Sequence, residues 1–110
     1  MKIALLHSVL VLTLLSSPAG AADAQADRAA FIARMQTIGV VASHGASGSI
    51  ATLTVGDGFF DSDFDSKTHV AGVVYRYYHD LDAEVVSVRI IDSATGAEIG
   101  TFDGTSLHLN

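Results

Sequence analysis

Asp61-Ser62-Asp63-Phe64-Asp65-Ser66 is the stretch of this sequence whose residue types and spacing come nearest to chemistry. Three carboxylates at alternating positions match the opening of an EF-hand loop, where oxygen ligands surround calcium. The rest of that loop departs from the pattern. Its glycine position holds Ser66, and Gly72 stands where the closing bidentate glutamate belongs. In an extended strand the three acids share one face and repel. In a loop they converge on a hard cation. Asp61, Asp63 and Asp65 are therefore the candidate metal ligands, for calcium held weakly at the levels found outside cells. The plainer alternative is a solvated acidic loop.

The histidines offer less. His44, His69, His79 and His108 form no short-spaced pair, so zinc would need them to meet through the fold. His79 next to Asp80 suggests an imidazole oriented by a carboxylate, against the simpler reading of a turn histidine. Ser43-His44-Gly45 brings serine beside histidine, but neighbours in sequence do not make a dyad without a third orienting group. No serine sits in a Gly-x-Ser-x-Gly elbow. Gly45-Ala46-Ser47-Gly48 lacks the lysine of a phosphate loop. No catalytic residue and no organic cofactor follow from these motifs, and the chain reads as non-enzymatic.

The elements that must carry these residues centre on Val70 to Phe102, the densest run of β-branched and aromatic residues. Alternation from Val73 sets Val73, Tyr75 and Tyr77 on one face and Val74, Arg76 and Tyr78 on the other, which predicts a strand. His79 to Ala83 reads as a turn. Glu84 to Ile91 is a second strand, with Val86, Val88 and Ile90 on one face. Asp92-Ser93-Ala94-Thr95-Gly96 is a turn opened by a self-bonding aspartate and closed by a glycine able to go left-handed. Ala97 to Phe102 returns, giving a three-strand meander, and Leu107 and Leu109 add an edge strand.

Within that run, YHDLDAEVVSVRIIDSATGAEIGTF (residues 78–102) resembles the C-terminal hairpin of the FlaG family of small flagellar proteins. The shared pattern is an acidic turn, a Val/Ile-rich strand, an Asp-x-x-Thr-Gly-like turn and a returning strand. The resemblance implies a hairpin here. Gly100, Thr101 and Phe102 replace the basic residue and proline that follow in that family, and its members lack a cleavable export signal.

This chain has the marks of such a signal over residues 1–21. Lys2 supplies the positive start, Ile3 to Leu15 the apolar core, and Ala19-Gly20-Ala21 the small residues before cleavage. The apolar run is shorter than the ~20 residues of a spanning helix, so no membrane segment is expected after cleavage. The expected location is the periplasm or the exterior. Removing 21 residues from 110 leaves 89, one small domain at 22–110 with no cysteine to staple it. Loss of Lys2 leaves 5 basic against 12 acidic side chains, a charge near −7. Nucleic acid and anionic lipid are excluded as partners by that sign; a protein partner, self-association or a cation fits it.

Asp23 to Ile38 predicts a helix capped by Asp23 or Asp27, with Phe31, Met35 and Ile38 on one stripe and Gly39 as its stop. Val40-Val41-Ala42 starts a strand that passes into a flexible loop at residues 43–49. Ser49 to Val55 is a strand with Ala51, Leu53 and Val55 on one face. Of Phe59 and Phe60, at least one packs under the sheet. The expected architecture is α+β: one N-terminal helix packed on a mostly antiparallel sheet of four to five strands, with a β-meander in the C-terminal half. The expected role is a small exported acidic protein acting through protein–protein contact or assembly. The alternative is a weak calcium-binding module built on Asp61, Asp63 and Asp65.

Overall fold

A computed structural model of the chain describes residues 18–110. The expected export signal lies mostly outside the described residues; its last four positions, 18–21, belong to helix α1 (Pro18–Thr37). Asp23 and Asp27 therefore lie inside the helix, and neither caps it. The packed face of α1 runs through Ala24, Arg28, Ile32 and Met35, a helical repeat. The helix stops where expected: Gly39 takes φ +81°, and the Val40 N–H donates to the Met35 carbonyl at 2.9 Å.

The fold is α+β. Five strands lie side by side in chain order: β1 (Val41–Ser47), β2 (Ile50–Val55), β3 (Ser87–Asp92), β4 (Glu98–Phe102) and β5 (Leu107–Leu109). Every neighbouring pair is antiparallel except β2 and β3, which run parallel. A parallel pair needs a crossover. Here it is made by α2 (Asp57–Asp61) and α3 (Phe64–Leu81). Helices α1 and α3 pack on each other and on one face of the sheet. Ala51, Leu53, Val55, Val88, Ile90 and Phe102 point into that layer and are buried beside Ile32, Phe59 and Val74.

The structure corrects the expected strand at Val73–Tyr78. Those residues belong to α3, and Val70, Ala71 and Val74 are its buried positions. That spacing is helical, whereas the alternation of valines and tyrosines had suggested a period of two. Strand propensity is a preference for a half-buried pleated surface and yields when a helix face fits the core better. The predicted turn at His79–Ala83 becomes the end of α3, with Asp82 as its C-cap. The acidic stretch is not one loop either: α2 ends at Asp61, and α3 begins after Asp63.

The loop expected over Ser43–Ser49 is also corrected. Five of its residues, Ser43 to Ser47, pair with β2, and Gly48-Ser49 is a two-residue hairpin turn with φ +62° at Gly48. Glycine at the first central position is what a type II′ turn requires. The meander therefore comprises β3, β4 and β5. In the Asp92 turn, Oδ1 of Asp92 accepts from the Ala94 N–H at 3.0 Å, and Gly96 takes φ +76°. Phe59 is buried and Phe60 is half exposed, at 1% and 46%.

Candidate binding groove

Between the C-terminal half of α1 and the start of α3 lies an open groove of about 460 Å³. Its apolar wall is Phe31, Met35, Ile38 and Val40. The first three form the predicted stripe of α1, continued past the helix end. Ile38 is 64% exposed, so the stripe is only partly covered by the protein itself. The facing wall carries Asp63, Asp65, Ser66 and His69 from the first turns of α3. The His69 and Phe31 rings meet edge to face across the groove, with centroids 5.1 Å apart. Among the described residues, no lysine or arginine lines it.

The sequence-predicted acids are placed as follows. Oδ1 of Asp63 accepts the Ser66 N–H at 2.7 Å, which makes Asp63 the N-cap of α3. That backbone hydrogen bond, with a second from the Ser66 side chain, holds its carboxyl below the usual range. Asp65 lies in the first helical turn. Two carboxylates there complement the positive end of the helix dipole and leave the rim anionic. Asp61 stays at the end of α2 and does not line the groove. Among the described residues, no group of three or more His, Asp or Glu side chains is placed to hold a metal ion.

The histidines remain apart. His44 turns toward the helices, where its Nδ1 shares a 2.6 Å hydrogen bond with the Tyr78 hydroxyl. Burial lowers the pKa of His44 and raises that of Tyr78, so both groups are neutral near pH 7. Ser43 precedes His44 on the strand and points to the opposite face, so the two do not form a dyad. His79 is not oriented by Asp80. Its Nδ1–H donates to the Val85 carbonyl at 2.7 Å, and its ring stacks on Tyr75. Asp80 pairs instead with Arg28, at 2.6 Å.

One constellation escaped sequence reasoning. Ser106, His108 and Asp103 meet on the turn between β4 and β5, which gives the serine, histidine and aspartate of a hydrolase. The geometry denies them that role. Nε2 of His108 lies 3.2 Å from both Ser106 Oγ and Asp103 Oδ2, so one nitrogen serves both neighbours. A triad needs the acid on one ring nitrogen and the hydroxyl on the other. Asp103 is chiefly a turn residue. The N–H groups of Ser106 and Thr105, in that order, draw its pKa down to about 2. Comparisons with protein-family models, with curated proteins and with solved structures found no match.

Proposed function

We propose that this protein is a non-enzymatic exported component that works by protein–protein contact, with the groove between α1 and α3 as its docking site. The observation that carries the reading is the pairing of a partly exposed apolar wall with an anionic rim. Phe31, Met35 and Ile38 face Asp63 and Asp65; among the described residues no lysine or arginine lines the groove, and Lys67, whose charge reaches Asp63, lies outside it with its Nζ donating to the Ser62 carbonyl at 2.6 Å. The occupant that fits is a peptide segment with a bulky apolar side chain next to lysine or arginine. The apolar group fills the wall, and the cation meets the carboxylates. Charge complementarity of this kind raises encounter rates and rejects acidic competitors. The volume matches the small end of ligand sites, enough for two or three side chains.

The test is an NMR titration with two probes, acetyl-Leu-Lys-Leu-amide and acetyl-Leu-Glu-Leu-amide. The lysine peptide is expected to shift the signals of Met35, Ile38 and His69, and the glutamate peptide to leave them in place. Asp63→Asn combined with Asp65→Asn removes both charges while asparagine keeps the cap. That double variant is expected to fold normally and to lose the preference for lysine. Equal shifts with both peptides, or no shift at the groove, would refute the reading.

A further inference from the structure

We propose that β1 is a homotypic pairing edge. Two copies of this chain join their Val41–Ser47 strands antiparallel, about a twofold axis at Gly45, and merge their sheets into one. This inference is independent of the groove.

The backbone directions follow from bonds on the far side of β2. The Ser49 carbonyl accepts the Val86 N–H at 2.9 Å, and the Val55 carbonyl accepts the Ser93 N–H at 3.0 Å. Alternate residues of a strand turn their polar groups to opposite sides, so Ala51, Leu53 and Val55 serve β3, while Ile50, Thr52 and Thr54 serve β1. The register pairs these last three with Ser47, Gly45 and Ser43. The N–H and C=O groups of His44 and Ala46 therefore point away from the sheet, toward whatever lies beside the edge.

Proteins ordinarily protect such an edge with charge, proline or a short strand. The other edge, β5, is short at three residues. β1 has seven residues, and VASHGAS contains no aspartate, glutamate, lysine, arginine or proline. Its one irregularity is the bulge at Ala42, near its start. Among the described residues no bulky side chain obstructs approach: Ala42, Ser43, Gly45, Ala46 and Ser47 are all small, and the His44 ring is held toward Tyr78. At Gly45 even an added Cβ would meet nothing within 4 Å.

A second copy fits this edge on two grounds. The chain carries a net −6, and β1 is a stretch without charge, so identical strands meet there with no like-charge contact between them. The twofold axis also makes the pairing self-complementary. His44 exchanges both backbone hydrogen bonds with the second copy's Ala46, and Ala46 does the same with the second copy's His44. Gly45 then faces its own counterpart at a non-hydrogen-bonded site, where Cα atoms approach to about 4.5 Å.

The sequence contains no cysteine, so single cysteines report the register without background. Gly45→Cys places two thiols within disulfide reach across the axis. It is expected to form a covalent dimer under mild oxidation. Ser43→Cys and Ser47→Cys are expected to cross-link to each other when mixed, more than either does to itself. By sedimentation, the unmodified protein is expected to show a concentration-dependent species of twice the chain mass. Ala46→Pro deletes two intermolecular hydrogen bonds and spares the ladder to β2, with association expected to weaken by about thirtyfold. Gly45→Lys has open space and sets two lysines across the axis; it is expected to fold and to remain monomeric. A protein that stays monomeric at every concentration, or a dimer that persists in Gly45→Lys, would overturn the proposal. So would Gly45→Cys failing to cross-link.

Discussion

Replacing Gly72 with alanine tests the assignment on which the whole crossover rests. Gly72 is half-buried in the middle of α3, one residue before the stretch whose alternation suggested a strand. A Cβ at this position would lie 3.7 Å from the tip of the Phe102 ring, an ordinary van der Waals contact. Nothing else approaches it within 4 Å. Alanine therefore gains the helical advantage over glycine, about 1 kcal/mol, with no steric cost against it. For a domain of this size, that corresponds to a rise in Tm of about 4–8 °C. Gly100→Ala is the matched control. Its Cβ would lie 2.5 Å from the His108 carbonyl oxygen, so β4 and β5 must separate, and a loss of stability is expected. The assay is urea and thermal unfolding followed by far-ultraviolet circular dichroism. An unchanged urea slope would confirm that the same surface unfolds. A Gly72→Ala variant that is neutral or less stable than the parent, with the slope unchanged, would refute a helix packed at that distance from Phe102.

The half-buried His44 gives a pH dependence with a definite sign. Burial sets its folded pKa below the ordinary 6.5, so the unfolded chain binds more protons as the pH falls past that value. Its contribution to stability is complete above about pH 6.5 and is lost as the pH falls through the depressed folded value. His44→Gln is expected to flatten this part of the stability profile, and an unchanged fall between pH 7 and 5 would contradict the assignment. Calcium supplies a separate check on the acidic stretch. If Asp63 and Asp65 serve a cationic side chain, thermal melts with calcium and with EDTA are expected to coincide. An upward shift with calcium that Asp65→Asn abolishes would favour the cation-binding alternative instead.

The parts of the fold that were legible in the sequence are those fixed locally. The Asp92–Gly96 turn was readable because an aspartate bonding its own turn and a left-handed glycine are both properties of single residues. The face of β2 was readable because Ala51, Leu53 and Val55 alternate cleanly with threonines. Val73 to Tyr78 was not, because VVYRYY satisfies two periods at once. Only the layer of β-strands beneath decides that Val70, Ala71 and Val74 face inward together. Ser43 to Ser47 failed for the opposite reason. Small residues and glycine carry little strand preference of their own, and the strand exists because β2 pairs with it. The groove divides in the same way. The apolar stripe of α1 and the acids of α3 were each visible. Their meeting depends on where the crossover sets the start of α3, which no local pattern records.

The two proposed surfaces converge on one short segment. Val40 lines the groove, and Val41 opens the pairing strand. Both side chains are buried in the core. Val40 is also tied at both backbone groups: its N–H donates to Met35, and its carbonyl accepts from Gly56. Among the described residues the core is fifteen hydrophobic side chains with no buried polar group. No disulfide reinforces it, and domains this small have little stability to spare. Occupancy of either surface favours the folded state by mass action. Because Val40 and Val41 are already fixed in the core, neither partner has that junction left to order. The lysine peptide in the groove is therefore expected to raise the Tm without changing the concentration at which β1 pairs, and a peptide-dependent shift in sedimentation would contradict the separation of the two surfaces.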